Sequence, residues 1–561
     1  MSSYSASAAT RRGSVVPPLA GVEKPLDAAP DSCDVLIQGT GLVESILAAA
    51  LAWQGTNVLH IDEKNYYGGI NAVLNVEELQ GWVDSVNAGT SPSVFSKAQL
   101  YMPRPLESRK YLVDLTPKIV FAKSDILTLL IKGRVSQYLE FKQLGSFHTY
   151  ENDSFEKVPG SKEDIFTDQS LSLLTKRSLM RFMKFVLDWE SHHDVWAEYS
   201  SRPLIDFLTE KFKLGDQQIK ELVYSIGLCS ADKDLVTPRG LSRIKRYLVS
   251  LDVYGNFPAL FSMYGSAGEL AQGFCRSAAV AGATYKLDTA VVDFDETNKV
   301  AILSDGSHVQ VAEKLVRPPR VPTPSSSSSL LVTRMVTIVA KDCKEWFAEN
   351  ECAAVVVFPP GTLKSNKYPV QAIVLGSGSG QCPDGQAVWY LSTIEQGEPA
   401  RKDLEEALLK LETSILREST EDFEFDDVDD NDVSYRPDGM PVLSSVKLGQ
   451  SLQNFVPKQK LQYLLKLSFV QIVEDHDMVQ PKHETDTKQP NISTSVLDSH
   501  HVLSEISYDG IVTQAKDLYA KIVGSDEDFF DVDFEDEEAE VERPRDTNER
   551  EHEEFGDDMD L

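Results

Sequence analysis

One segment near the N-terminus restricts the fold more than any other part of the chain. Residues 33–62 read CDVLIQGTGLVESILAAALAWQGTNVLHID, an apolar strand, a glycine turn, a helix of small residues and a second apolar strand. Gly39 allows the tight bend, and Gly41 lets backbone amides approach a pyrophosphate at the helix start. Asp62 ends the second strand, where a ribose-binding carboxylate belongs. The segment predicts the opening βαβ unit of a dinucleotide-binding α/β fold.

The same turn departs from a working cofactor site at its third glycine position. Glu44 stands there, and a carboxylate beside a pyrophosphate weakens binding through like-charge repulsion. Flavoproteins of this fold also usually carry a late Gly-Asp pair, but the nearest counterpart, SEISYDG, has no glycine before Asp509. We therefore expect a retained fold that binds no FAD or NAD, with vestigial cofactor positions at Gly39, Gly41 and Asp62. A flavin-dependent oxidoreductase is the alternative.

The charge balance excludes one class of partner. The net charge is −32, and half of that excess lies in residues 526–561, where 19 acidic residues stand against 3 arginines. Such a chain repels phosphates, so nucleic-acid binding is not expected. We predict that residues 525–561 form a disordered, solvated acidic tail. The alternative is a segment that attracts a basic partner electrostatically.

Neither a metal site nor a catalytic motif is visible in the sequence. It contains no Walker loop, HExxH or GxSxG motif, which predicts a protein without catalytic activity of its own.

The sequence also shows no targeting or membrane signal. The N-terminus lacks the apolar stretch of a signal peptide, the C-terminal DDMDL is not a prenylation box, and no run of about 20 apolar residues occurs. We expect a cytoplasmic protein whose thiols stay reduced, because the cysteines lack metal-site or disulfide-framework spacing: Cys33, Cys229, Cys275, Cys343, Cys352 and Cys382.

Shifts in composition predict a large α/β domain that a helical domain interrupts. In residues 166–253 the apolar side chains recur at three and four positions, which predicts an all-helical insertion. Strand patterns with Gly and Asp turns lie on both sides of it and predict added β-sheet. The predicted parts are a disordered N-terminus 1–31, large-domain segments 32–165 and 254–524 with loops at 317–329, 419–434 and 475–500, and the acidic tail.

Three separated blocks make the chain recognisable. They are residues 39–69, GTGLVESILAAALAWQGTNVLHIDEKNYYGG, residues 129–142, LLIKGRVSQYLEFK, and residues 263–287, MYGSAGELAQGFCRSAAVAGATYKL. In this order they resemble the family of Rab GDP-dissociation inhibitors and Rab escort proteins. The resemblance covers most of residues 33–315 and implies an FAD-binding-type large domain, an inserted helical domain, no cofactor, and binding of GDP-bound Rab GTPases.

The resemblance also implies positions for the binding sites. A Rab-binding platform would comprise Tyr67, Glu269, Arg276 and Tyr285, although MYGSAGEL carries one residue more than the family's usual turn and Lys286 replaces an apolar residue. A patch for the Rab C-terminal tail, or else a core helix, would use Ile126, Leu127, Leu129 and Leu130. The lipid pocket would lie between helices of the small domain, against residues that an ordinary core would also use: Met183, Val186, Ile219, Leu222, Val223 and Ile226.

One helix favours the escort branch of this family. In LMRFMKFVLDW, four residues define a buried stripe, and Phe185 with Trp189 extends the apolar surface beyond it. In escort proteins a phenylalanine on this helix inserts into the prenyltransferase, and Phe185 matches it; a core contact is the alternative. The length of the chain and the segment FEKVPGSKEDIFTDQSLSLLTKRSLMRFMKF also favour this branch. The stripe consists of Leu179, Phe182, Met183 and Val186.

The escort branch implies a non-catalytic accessory subunit. Such a protein presents GDP-bound Rab GTPases to the Rab geranylgeranyl transferase heterodimer, keeps the geranylgeranyl lipid out of water and contacts membranes transiently at delivery. The nearest alternative is a Rab GDP-dissociation inhibitor, which recycles prenylated Rab proteins.

Overall fold

The structure is a computed structural model. It describes residues 29–89, 93–158, 172–230, 235–319, 321, 329–418, 433–435, 441–443, 460–474, 495–499 and 506–531. Its helices are α1 Leu42–Trp53, α2 Val76–Ala88, α3 Asp125–Lys132, α4 Leu173–Leu187, α5 His193–Trp196, α6 Leu204–Phe212, α7 Asp216–Lys220, α8 Thr237–Ser250, α9 Ala267–Val280, α10 Gly397–Glu418 and α11 Ile511–Val523.

Strands fall before and after the helical stretch α4–α8. In chain order they are β1 Ser32–Gln38, β2 Val58–Ile61, β3 Val73–Leu74, β4 Phe95–Tyr101, β5 Val113–Asp114, β6 Val120–Phe121, β7 Phe141–Leu144, β8 Phe147–Glu151, β9 Ser154–Lys157, β10 Ala259–Ser262, β11 Thr284–Lys286, β12 Val291–Asp295, β13 Val300–Leu303, β14 His308–Arg317, β15 Ser329–Val339, β16 Ala353–Phe358, β17 Val370–Gly376, β18 Ala387–Thr393, β19 Val433–Tyr435, β20 Pro441–Leu443, β21 Tyr463–Glu474 and β22 Val496–Asp498.

The first sheet is built around the predicted βαβ unit. Its strand order is β11-β2-β1-β14-β13-β12, with β22 also paired to β14. Strands β1 and β2 run parallel, and the central residues of β1 are buried on both faces, as expected of a parallel sheet that helices cover. The predicted α/β fold with a dinucleotide-type opening is confirmed.

The second sheet has eight strands in the order β4-β21-β15-β18-β17-β16-β8-β9. Along β15, Val336 and Ile338 face the core that continues into the helical stretch, whereas Met335 and Val339 face a separate core beneath α10. This alternation follows from the two-residue period of a strand. The sheet therefore separates α10 from the rest of the molecule.

Helices α4 to α8 form the helical region, which we define as residues 172–251. The predicted stripe of α4 is buried in it, and the Phe182 ring packs edge-on against Phe212 with ring centroids 5.2 Å apart. After α7, residues Glu221–Ile226 continue as a π-helix. Within the part of the chain that the structure describes, no helix combines the length and apolar character needed to cross a membrane.

Order extends further toward both termini than the composition predicts. Ala29 is buried and the Asp31 carbonyl accepts a hydrogen bond from the Gln310 amide at 2.9 Å, so the predicted disorder of 1–31 is wrong for its last three residues. Phe529 and Phe530 are buried, so the predicted tail begins too early at residue 525. Residues 1–28 and 532–561 lie outside the described residues.

Two of the predicted loops contain strands. Strand β22 lies inside the predicted loop 475–500 and pairs in parallel with the end of β14, Leu315 opposite Val496. Strand β19 begins inside the predicted loop 419–434 and pairs with β20. Both segments are short and flanked by polar sequence, so their pairing depends on distant partners rather than on a local apolar pattern.

Candidate functional site

The turn after β1 is filled by protein groups. Glu44 is 4% exposed, and an added Cβ at Gly41 would collide with its carboxylate, which therefore lies across the start of α1. The Ser499 hydroxyl donates a hydrogen bond to Glu44 Oε1. Burial raises the pKa of Glu44 to about 7, and the nearby Asp62 carboxylate adds to this shift. A carboxyl group thus lies where a pyrophosphate would meet the helix N-terminus.

The ribose position is occupied in the same way. Asp62 Oδ2 accepts hydrogen bonds from the Thr40 amide and the Thr40 hydroxyl, both at 2.7 Å, and Oδ1 accepts one from the Lys64 amide at 2.9 Å. A Cβ on Gly39 would lie 3.1 Å from Pro318 Cβ, so a proline covers the first glycine. The residues present therefore do not fit a dinucleotide cofactor without rearrangement.

A buried histidine joins this turn to the predicted platform. His60 donates a hydrogen bond from Nε2 to the Gly39 carbonyl at 2.6 Å, which leaves Nδ1 to accept one from the Tyr285 hydroxyl at 3.2 Å. Burial lowers the pKa of His60 to about 4, so the ring is neutral at physiological pH. The sequence shows only a histidine within an apolar strand, and its partners are invisible there.

The two platform tyrosines lie in contact. Tyr285 is on β11 directly opposite His60 of β2, and the Tyr67 ring packs edge-on against it with centroids 6.2 Å apart. Tyr67 precedes Gly68 and Gly69, whose φ angles of 100° and 54° explain the two glycines at this tight turn. Both tyrosines are half-buried, so each combines a fixed ring with an accessible edge.

Helix α9 carries the other two platform residues. Glu269 and Arg276 are seven positions apart, so both lie on one face of α9, separated by about two turns. Arg276 is exposed, and its guanidinium lies 4.6 Å from the centre of the Tyr138 ring. Burial raises the pKa of the half-buried Glu269, and the Asp114 carboxylate contributes to this shift. Tyr138 is a surface neighbour that the platform prediction omits.

The two departures from the family pattern are accommodated locally. The longer turn before α9 places Tyr264 at φ 66° and Gly265 at φ 154°, and Glu269 still falls in the first helical turn. Lys286 forms an ion pair with Asp305, which accounts for a charged residue at the end of β11. Behind the platform, Cys275 donates a hydrogen bond to Ser45 Oγ at 3.2 Å and fixes α9 against α1.

The predicted patch for a Rab tail is not exposed. Its residues on α3 are all buried in the core shared with α1, α9 and α11: Ile126, Leu127, Leu129 and Leu130. The C-terminal segment adds Phe530, whose ring lies 3.0 Å from the position of a Cβ on Gly133, and Lys132 pairs with Asp531 at 3.6 Å. The prediction of an accessible patch is wrong, because residues distant in sequence cover this helix.

The expected exposure of Phe185 is also wrong. Phe185 is 6% exposed, and its ring packs against Phe207 and Phe212 with centroids 5.6 and 5.3 Å away. The apolar surface of α4 extends beyond the predicted stripe because the helix is buried on two sides. The apolar residues that α4 leaves most exposed are Leu173, 84% exposed, and Leu174, 75% exposed, at its N-terminus; Leu187, at its C-terminus, is 38% exposed.

The predicted lipid-pocket residues do lie together. All six are buried in one cluster of the helical region, on α4, α7 and the π-helix: Met183, Val186, Ile219, Leu222, Val223 and Ile226. Four of them belong to or adjoin the π-helical turn, a wider and less common backbone form that often occurs at functional sites. In this closed arrangement the helices would have to separate to admit a lipid.

Comparisons with known proteins identify the family of the chain. The profile of the family described as GDP dissociation inhibitor matches residues 29–432. The chain is 52% identical to the Rab proteins geranylgeranyltransferase component A of Saccharomyces cerevisiae, over 93% of this chain and 89% of that one. It is 46% identical to the protein of the same name from Candida albicans, over 91% and 88% of the two chains.

A solved structure shares the fold. The Rab GDI of Plasmodium falciparum is 20% identical and superimposes with a TM-score of 0.59. The match covers 89% of this chain and 99% of that one. The match of the family profile, the two relatives and this common fold lead to one conclusion: the chain belongs to the GDP dissociation inhibitor family.

Proposed function

We propose that this chain is a Rab escort protein. It binds GDP-bound Rab GTPases, presents them to Rab geranylgeranyl transferase as a non-catalytic accessory subunit, and keeps the prenylated product out of water until a transient membrane contact releases it. The observation that carries the proposal is the pairing of a filled cofactor turn with an accessible platform of Tyr67, Tyr285 and Arg276. The names of the two yeast relatives support it.

The platform suits a polar protein surface. The Arg276 guanidinium is held in place by Tyr138 yet exposed, so it can hydrogen-bond a carboxylate or a backbone carbonyl of the Rab protein. Tyr67 offers a fixed ring with one polar tip. A preference for the GDP state follows if the platform fits switch loops that are mobile without the γ-phosphate.

The transferase docks on the helical region in this proposal. The exposed Leu173 and Leu174 at the N-terminus of α4 supply the apolar contact, and Phe185, near the other end, fixes α4 by filling the space between α4 and α6. Exposed aliphatic side chains side by side are typical of a partner surface. The cationic neighbours Lys176 and Arg177 give this end of α4 a positive charge.

The lipid enters the cluster between α4 and the π-helix. A twenty-carbon chain exposes apolar surface worth on the order of 10 kcal/mol at about 0.8 kcal/mol per buried CH₂. A carrier must offset most of this free energy, which the six clustered apolar side chains can do once the helices separate. The π-helical turn supports this step because its backbone departs from the regular helix beside the lining residues.

A prenylation assay tests the function. Rab protein, purified transferase and geranylgeranyl diphosphate are incubated with and without this chain, and lipid transfer to the Rab C-terminus is measured. We expect transfer to depend on the chain. Extraction of prenylated Rab from membranes without any stimulation of transfer would instead identify a Rab GDP-dissociation inhibitor.

The platform has its own test. Arg276→Ala should weaken binding of GDP-loaded Rab by about 1.5–3 kcal/mol, because a charge-assisted contact is lost. Arg401→Ala, on the exposed face of α10, removes the same charge away from the platform and should leave the affinity unchanged. Titration with fluorescent Rab measures both. Equal affinity for the two variants would refute the platform assignment.

A further inference from the structure

A row of polar side chains crosses the second sheet. Arg334 of β15 lies opposite Ser392 of β18, which in turn lies opposite Gln371 of β17. Directly opposed residues of antiparallel strands point to the same face, so these three side chains form a transverse line. Arg334 also donates from Nε to Gln471 Oε1 of β21 at 2.8 Å. The next residues on this face are apolar: Val336, Ile338, Ile373 and Leu375.

A small cavity lies over this row. The sheet contributes Arg334, Gln371 and Ser392 to its wall, and three residues from segments packed onto the sheet line its other side: Leu115, Pro117 and Ile506. The centre of a water molecule can move within about 10 Å³ of this cavity, which is room for one water molecule or one monatomic ion. The cavity is too small for a nucleotide or a peptide carboxylate.

In the described part of the chain, no carboxylate forms an ion pair with the arginine in this wall. Arg334 is 5% exposed, and among the residues that the structure describes no group accepts a hydrogen bond from its two terminal nitrogens. Asp114 is the nearest carboxylate in electrostatic terms, but its oxygens already accept hydrogen bonds from Thr116 and Ser266. A buried guanidinium without a paired anion is costly, so this geometry favours a negative ligand.

A second basic side chain lies near the cavity. Lys118 is buried and donates from Nζ to the Ser507 carbonyl at 3.1 Å. Burial and the Arg334 guanidinium lower the pKa of Lys118 to about 7, so only part of the population carries its charge at neutral pH. An anion beside Arg334 would favour the charged form of both side chains.

We propose that this cavity binds a single chloride-sized anion, held by the Arg334 guanidinium and the Ser392 hydroxyl. The ion joins the second sheet to the segments around Leu115 and Ile506. Gln371, in the same row, donates a hydrogen bond to the Leu228 carbonyl at 3.0 Å, so the site also adjoins the helical region. The inference goes beyond the proposed function, since neither Rab nor transferase takes part in it.

Thermal melting of the full chain tests the proposal. The melting temperature is measured at fixed pH and ionic strength while sodium gluconate, whose anion is too large for the cavity, is replaced by sodium chloride. We expect a saturable rise of roughly 1 °C, as for a ligand present at about ten times its Kd acting on a chain of this length. Bromide should act like chloride. Equal melting in gluconate and chloride would mean that the cavity holds only water, and would overturn the proposal.

Variants assign the effect to this cavity. In Arg334→Met the difference between chloride and gluconate should vanish, whereas Arg401→Met, which removes an exposed arginine of α10, should keep it. A chloride effect that persists in Arg334→Met would place the ion elsewhere and overturn the assignment. If Arg334→Met does not fold, bromide in crystals of the unchanged protein decides: anomalous density beside Arg334 supports the site, and its absence refutes it.

Discussion

Glu44 makes the stability of the first turn depend on pH. Its folded pKa of about 7 lies above the ordinary 4.5, so between these values the folded chain keeps a proton that the unfolded chain releases. Stability from this group is therefore full below about pH 4.5 and is lost as the pH rises to about 7. Glu44→Gln should be more stable than the unchanged protein at pH 8, by roughly 3 kcal/mol at about 1.4 kcal/mol per pKa unit.

Urea unfolding at several pH values checks this expectation. The difference between the two proteins should shrink toward pH 4.5, because the carboxyl is then neutral in both states. His60 titrates in an overlapping range with the opposite sign, but it is present in both proteins and cancels in the difference. The exposed neighbour Glu63 provides a control: Glu63→Gln should not reproduce the stabilisation at pH 8. Equal stability of Glu44→Gln and the unchanged protein at pH 8 would contradict the account.

Phe185 should behave as a core residue when it is truncated. Phe185→Ala leaves a cavity between Phe207 and Phe212, which destabilises the fold by about 3–5 kcal/mol. Leu173→Ala, on the same helix but exposed, should leave unfolding unchanged and slow prenylation when transferase is limiting. Denaturant unfolding and the transfer rate separate the two residues. A stable Phe185→Ala variant would show that this ring is not packed as described.

At the scale of elements, the C-terminal segment is held by two aromatic rings. Phe530 packs against Gly133 and Phe274, and Phe529 packs against Tyr519 of α11. A chain ending at Gly524 loses both rings and should be destabilised by at least about 3 kcal/mol. A chain ending at Asp531 keeps every described contact and should unfold like the full chain. Urea midpoints of the two truncations test this, and equal midpoints would contradict it.

The groups that fill the turn after β1 should prevent FAD from binding. Because the Glu44 carboxylate and Pro318 occupy the space around Gly41 and Gly39, added FAD should neither raise the melting temperature nor remain with the protein after gel filtration. The absorbance spectrum of protein purified without added cofactor gives a second readout. Stoichiometric flavin released on denaturation would return the oxidoreductase to consideration.

Local elements were predictable where a local pattern exists. The βαβ unit follows from its strand-turn-helix spacing, and the stripe of α4 follows from its 3.6-residue period. The burial of Phe185 was not predictable, since the same period is compatible with a second buried face or an exposed one. The pairing of β22 with β14 and the Ser499–Glu44 hydrogen bond each join residues far apart in sequence. Strand β22 has only three residues between polar segments, too few for a sequence pattern that would identify its partner strand.

At the scale of the whole molecule, one arginine joins three parts of the chain. Arg246 of α8 donates to Ser507 Oγ at 2.9 Å, pairs with Asp509, and lies with its guanidinium 4.3 Å from the centre of the Phe121 ring. The helical region is thereby attached both to the segment before α11 and to the strand before α3. Asp509, at the position of a late flavoprotein aspartate, holds an arginine instead of a cofactor.

The closure of the first βαβ unit by the last part of the chain has a consequence for biosynthesis. Helix α1 is buried on one side by α9 and on another by α11, which follows it by more than 450 residues. At about 5–20 residues per second, a ribosome needs tens of seconds to supply that helix. During this interval the apolar surface of α1 has no partner from α11, and contacts of such long range also form slowly. The nascent chain should therefore depend on chaperones that shield its first helix until the final residues emerge.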